Sequence, residues 1–107
     1  MIERGSKKWD MMSEFFILYS KWEQIPEGKN EETLLDETIV DMVDFCRKYV
    51  EKNDRFAANI AAALFLQVDD MINGRKVLGA DKGALRITAM WFEKLSREKG
   101  DESNGIS

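Results

Sequence analysis

The sequence predicts an all-α single domain, a four-helix bundle-like fold with helices at about 7-24, 31-52, 55-73 and 82-99. Three observations predict it. Apolar residues recur at three- and four-residue steps through four segments, the spacing of one helical face. Each segment is bounded by capping or breaking residues. The connections between them, of about 5, 2 and 8 residues, suit neighbouring helices in a bundle.

Residues 1-5 read as a frayed N-terminus, and Ser6 is the expected N-cap of the first helix. Pro26 and Gly28 end that helix, because proline restricts the residue before it and glycine supplies a permissive turn position. Two apolar seams run along it, roughly 120° apart at 100° per residue. One is Trp9, Met12, Phe16 and Tyr19; the other is Met11, Phe15, Leu18 and Trp22. The only consistently charged face is Asp10, Glu14 and Lys21. So much aromatic surface calls for two neighbours.

Helix 2 starts near residues 30-33, with either Asn30 or Thr33 as its cap. Leu35, Ile39, Met42, Cys46 and Tyr49 form its apolar stripe, and Glu37, Asp41, Asp44, Lys48 and Glu51 lie opposite. Asp54 is the expected cap of helix 3.

Helix 3, FAANIAAALFLQVDDMI, is the most apolar stretch of the chain. Its expected core face is Phe56, Ala57, Ile60, Ala61, Leu64, Phe65, Val68, Met71 and Ile72, and its alanines let neighbouring helices approach closely. Gln67 falls inside that arc and needs a hydrogen-bond partner or solvent. Gly74 is the expected left-handed residue after the helix, and Val77 and Leu78 pin the loop that follows. Asp81 caps helix 4, whose core stripe is Ala84, Leu85, Thr88, Ala89, Phe92 and Leu95. Residues 6-99 form the single helical domain, and 100-107 are expected to be a disordered C-terminal tail.

Composition narrows the function classes. The chain is 44% hydrophobic and 34% charged, a globular balance. Its longest apolar run, Ile60 to Leu66, falls well short of the about 20 residues that cross a bilayer. No h-region follows the N-terminal lysines, so a cytoplasmic location and no membrane partner are expected. The acidic excess lies in residues 25-53, with eight acids against four bases. Direct nucleic-acid binding through a basic surface is therefore not expected. Arg75, Lys76 and Lys82 are too few for it, and read as solvated loop charges.

The absence of histidine removes Ser-His-Asp and Cys-His triads and Cys/His zinc sites. Neither GRKVLG nor GADKG fits a phosphate-binding glycine loop. Cys46 reads as a small buried hydrophobe. No catalytic residue, metal ligand or cofactor is assigned, and the protein is expected not to be an enzyme.

Two surfaces remain. Met11, Trp22, Ile87, Met90 and Trp91 exceed what one bundle interior needs and are expected to form an apolar partner-binding patch. Glu37, Asp41 and Asp44 form an acidic row on one helix face. The first points to a protein-protein interaction module, a small adaptor, regulator or inhibitor, with the homodimer as one form. The second points to a phage or mobile-element encoded inhibitor that sets an acidic helix against a nucleic-acid-binding host protein. A third reading, a Mg-dependent all-α nucleotide phosphohydrolase, has least support. Such enzymes set ExxE and ExxD pairs on adjacent helices, and Asp41-x-x-Asp44 with Asp69-Asp70 does not reproduce the pattern.

Overall fold

The computed structural model describes residues 2–75 and 81–105, with side chains through Glu98. It is all-α, with four helices packed on one another: α1 (Lys7–Trp22), α2 (Glu31–Tyr49), α3 (Phe56–Ile72) and α4 (Lys82–Gly105). The expected loop contacts of Val77 and Leu78, and the start of the expected frayed end at Met1, lie outside the described residues.

Local chemistry sets the ends. The Trp9 N–H donates to Ser6 Oγ at 3.2 Å. At α2 Asn30 is the cap rather than Thr33: its Oδ1 accepts from the Thr33 N–H at 2.8 Å. Glu31 and Glu32 follow it at the positive end of the helix dipole, with Arg47 and Lys48 at the negative end. Asp54 caps α3 from one residue further out than expected, accepting from the Phe56 N–H at 3.0 Å, with Arg55 at the boundary. Asp81 accepts from the Ala84 N–H at 2.8 Å.

α1 ends at Trp22 and α2 at Tyr49, each earlier than expected. The second connection is correspondingly longer, a tight reversal closed by an antiparallel bridge between Glu51 and Asp54. Gly28 and Gly74 hold φ of 84° and 68°, which suit glycine at these two reversals. α4 departs from expectation in the other direction. Its backbone stays helical to Gly105, through residues expected to be a disordered tail. No proline interrupts that run, and a single glycine at position 100 costs a helix only about 1 kcal/mol.

The core is built where α2, α3 and α4 meet. Ala57, Ala58, Ala61 and Ala62 are buried, so more of the α3 circumference is covered than the expected arc. Phe56, expected in that arc, lies exposed at the helix start, and Gln67 is half-exposed. Phe92 of α4 meets Phe65 of α3 edge-on at 5.3 Å between ring centroids. The buried face of α2 is Leu34, Thr38, Met42, Val43, Phe45 and Cys46, rotated from the expected stripe towards Leu34 and Thr38. Thr38 fits because its hydroxyl donates to the Leu34 carbonyl at 2.7 Å and so presents its methyl group to the core.

α1 touches α2 and α3 but not α4 among the described residues. It is a helix laid on one side of a three-helix core, with a single flank to bury.

Candidate functional site

With only one flank of α1 covered, only one of its seams is used. Met11, Phe15, Leu18 and Trp22 pack against the core. Phe15 lies 6.0 Å from Phe45, which lies 5.2 Å from Tyr49. The other seam faces outward: Trp9 is 40% exposed, Met12 39%, Phe16 71% and Tyr19 41%, with Ile17 beside them at 67%. These five side chains form a continuous apolar face on a single helix.

Charge pairing decides which seam turns out. Glu14 and Lys21, on the charged face of α1, reach α2. Lys48 Nζ donates to Glu14 at 3.0 Å and Lys21 Nζ to Asp41 at 2.7 Å. Glu14 to Lys21 is a seven-residue step on α1, and Lys48 to Asp41 is the same step reversed on α2. The two antiparallel helices are thus matched in register by opposite charges, and a further pair joins Lys7 to Glu51 at 3.0 Å. That complementary spacing is visible in the sequence. It identifies the charged face of α1 as a flank of the α2 contact and leaves the Trp9–Tyr19 seam for solvent.

Two residues expected in the apolar patch are therefore placed elsewhere. Trp22 is wholly buried, because its indole fills the space between the end of α1 and α2 while Nε1 donates to Asp41 at 2.8 Å. Met11 is half-buried against the core. The other three are where the sequence put them: Ile87, Met90 and Trp91 are exposed on α4. Trp91 lies stacked on Phe92 at 5.3 Å and edge-on to Phe65 at 6.4 Å, so its orientation is fixed. Since α1 and α4 do not touch among the described residues, these are separate apolar faces.

The acidic row does not form a free carboxylate surface. Lys29 donates to both oxygens of Glu37 at 2.8 and 2.9 Å, Asp41 holds Lys21 and Trp22, and Asp44 lies 3.5 Å from Arg47. Each member has a cation beside it, so little net negative potential projects from the row. Among the described residues no group of three or more His, Cys, Asp or Glu side chains is placed to hold a metal ion. Arg75, read as a solvated loop charge, is bound by Asp69 and Asp70, whose hydrogen bond and charges raise its pKa.

Other polar groups inside the fold are structural by their contacts. Glu93 is nearly buried and is held by Arg55 at 2.6 Å and by Arg97 at 2.5 Å. Cys46 is fully buried, and burial followed by the charge of Glu93 pushes its thiol up to about 12. A thiol so rarely ionised is a poor nucleophile at neutral pH.

A groove of ≈ 580 Å³ opens between the start of α1, the end of α2 and the start of α3, with Ile2, Met11, Met12, Tyr49 and Phe56 in its walls. It adjoins the exposed seam through Met12, which lines both. No helix among the described residues is long and apolar enough to cross a membrane. The chain matches no protein-family model, no curated protein and no solved structure.

Proposed function

We propose that this protein is a non-enzymatic protein-protein interaction module, an adaptor, regulator or inhibitor, that binds through the outer face of α1. One observation carries the reading: Trp9, Met12, Phe16, Ile17 and Tyr19 are exposed together on a helix held firmly from behind. Their exposed fractions, applied to full side chains of about 150–250 Å², leave roughly 500 Å² of apolar area in one patch. Isolated exposed hydrophobic residues are ordinary, whereas a contiguous patch of this size is among the largest that monomers carry, and such patches are often functional. Tryptophan, tyrosine, phenylalanine and methionine are also the residues enriched at interface centres. The α4 face is the second candidate contact, smaller and set beside Arg86 and Lys94.

The acidic-inhibitor reading has less to rest on, because Glu37 and Asp41 already carry Lys29 and Lys21.

The test is capture of the tagged protein and its partner from the native cell, in parallel with Phe16→Glu, Ile17→Glu and Trp91→Ala. On this reading the two α1 variants keep wild-type helicity and lose the partner, while Trp91→Ala retains it. A partner kept by both α1 variants refutes it.

A further inference from the structure

Between the C-terminal turn of α2 and the side of α4 lies a pocket of ≈ 460 Å³. Three cations line it: Arg47 of α2, Lys52 of the reversal that follows, and Arg97 of α4. They stand against one carboxylate, Glu51, while Val50 and Cys46 supply apolar lining. That concentration of positive charge runs against a chain whose net charge is −4. The backbone carrying Lys52 is fixed by paired bonds between Glu51 and Asp54, each 3.2 Å long. The pocket shares no residue with the outer face of α1 and does not depend on how that face is used.

The ion pairs around the pocket do not cancel its charge. Glu51 is itself held by Lys7 at 3.0 Å. Arg47 stands 3.5 Å from Asp44, beyond the usual N–H···O range of about 2.7–3.2 Å. Arg97 shares the single carboxylate of Glu93 with Arg55, and gives it only Nη2 of a group with five N–H donors. Lys52 has no ion-pair partner among the described residues. With these neighbours included, five cations face three carboxylates, a surplus of two. The carbonyl end of α2 opposes an anion, but with only about half a charge. The cations outweigh it.

We infer that this pocket binds a phosphomonoester. Such a group carries about −1.5 to −2 charges at pH 7 on three acceptor oxygens, which matches the surplus. A carboxylate would bring only one. Guanidinium groups pair phosphate oxygens two at a time, and here two of them come from different helices, with Lys52 as a point charge beside them. Size argues for an ester over a bare ion. At about 30 Å³ per water the pocket has the volume of roughly fifteen waters, far more than one phosphoryl group fills. The organic body of the ester takes the remainder, beside Val50 and Cys46.

The site binds without reacting. Cys46 is the one nucleophile at hand, and a thiol pushed up to about 12 stays protonated at neutral pH. The arginines are partly open to solvent, which screens their charge, so dissociation is on the order of 0.1–1 mM.

Amide shifts of the isotope-labelled full chain test this, in titrations at fixed ionic strength with glucose 6-phosphate, a phosphoserine tripeptide, inorganic phosphate and glucose. Saturating shifts at Arg47, Lys52 and Arg97 are expected with both esters, at lower concentration than with inorganic phosphate, and none with glucose. Arg47→Gln and Lys52→Gln each weaken ester binding about five- to tenfold. Arg86→Gln, which removes a cation elsewhere on α4, leaves it unchanged. Glu51→Gln removes the one carboxylate of the pocket and tightens binding, a gain that a damaged fold would not give. Tighter binding of the tripeptide assigns the pocket to a phosphorylated partner, and of glucose 6-phosphate to a small soluble ester. No saturation by about 10 mM ester overturns the proposal. So does an equal loss in Arg86→Gln and Arg47→Gln, or weaker binding in Glu51→Gln. Esters that bind no tighter than inorganic phosphate mark an adventitious ion only, and overturn it as well.

Discussion

The indole Nε1 of Trp22 donates to Asp41 Oδ2 at 2.8 Å, and the same oxygen accepts from Lys21 at 2.7 Å. A single carboxylate on α2 therefore satisfies the one polar atom of the largest fully buried side chain and anchors the end of α1. Asp41, which looks from the sequence like one of three equivalent surface acids, is the polar half of a packing contact. The consequence is functional as well as structural, since α1 can present its outer seam only if its other flank is fixed.

Replacing either partner should separate packing from hydrogen bonding. Trp22→Ala removes a fully buried indole and is expected to cost about 3–5 kcal/mol. Asp41→Ala leaves a buried N–H without an acceptor and is expected to cost about 1–3 kcal/mol. In Trp22→Phe that donor is gone, so a subsequent Asp41→Ala should cost less than it does in the wild type. Urea denaturation of the four proteins gives this cycle, and full additivity would show that the bond contributes nothing beyond packing.

The other two acids of the row should behave differently. Glu37 pairs with Lys29 and Asp44 with Arg47, all of them partly exposed, where ion pairs are worth about 0–1 kcal/mol. Glu37→Lys and Asp44→Lys are each expected to shift the denaturation midpoint by no more than that. Asp41→Lys should be much more costly, because it places a cation against Lys21 and takes the acceptor from Trp22. Equal effects at all three positions would restore the picture of a uniform acidic face.

Glu93 offers a test of a nearly buried carboxylate held by two cations. Arg55 reaches it from the start of α3 and Arg97 from one turn further along α4. Glu93→Ala forfeits both charge-assisted bonds and is expected to cost about 1.5–3 kcal/mol. The two guanidinium groups are about half exposed and regain water when the carboxylate is removed, which limits the loss. Glu93→Met refills the volume and is expected to recover part of the stability, since a buried ion pair often gains little over an apolar side chain of similar size. If thermal melts show Met no better than Ala, the charge itself is what α3 and α4 require.

The helices and most of their caps are legible in the sequence because they depend on neighbours in the chain. Ser6, Asp54 and Asp81 cap, and Gly28 and Gly74 reverse, through local geometry. The direction of a face is legible only where one stripe dominates. On α4, with one apolar stripe, Ile87, Met90 and Trp91 are correctly expected outside. On α1, with two stripes of similar hydrophobicity, periodicity cannot choose between them. The choice is made by Glu14 and Lys21 meeting Lys48 and Asp41, a long-range relationship. The burial of Trp22 is hidden in the sequence for the same reason: it depends on an acceptor nineteen residues away.

Alkaline pH should destabilise the fold, starting with Cys46. Its thiol is held at about 12 in the folded protein, against 9.0 for an unperturbed thiol. Between those values the unfolded chain has lost the proton and the folded chain keeps it, so ionisation favours unfolding. The stability associated with the neutral thiol is fully present below pH 9.0 and is lost as pH rises towards about 12. Two other groups act in the same direction further up the scale. The phenol of Tyr49 is raised, first by burial and then by the charge of Glu14, and the ammonium of Lys48 is raised by its hydrogen bond to Glu14. Below pH 9 the thiol should resist a disulfide reagent in the native state and react at once in denaturant. Denaturant melts from pH 8 upward should show stability falling first from about pH 9, with Cys46→Ala removing that early part and leaving the later fall due to Tyr49 and Lys48. An unchanged onset in Cys46→Ala would assign the alkaline loss to those two groups alone.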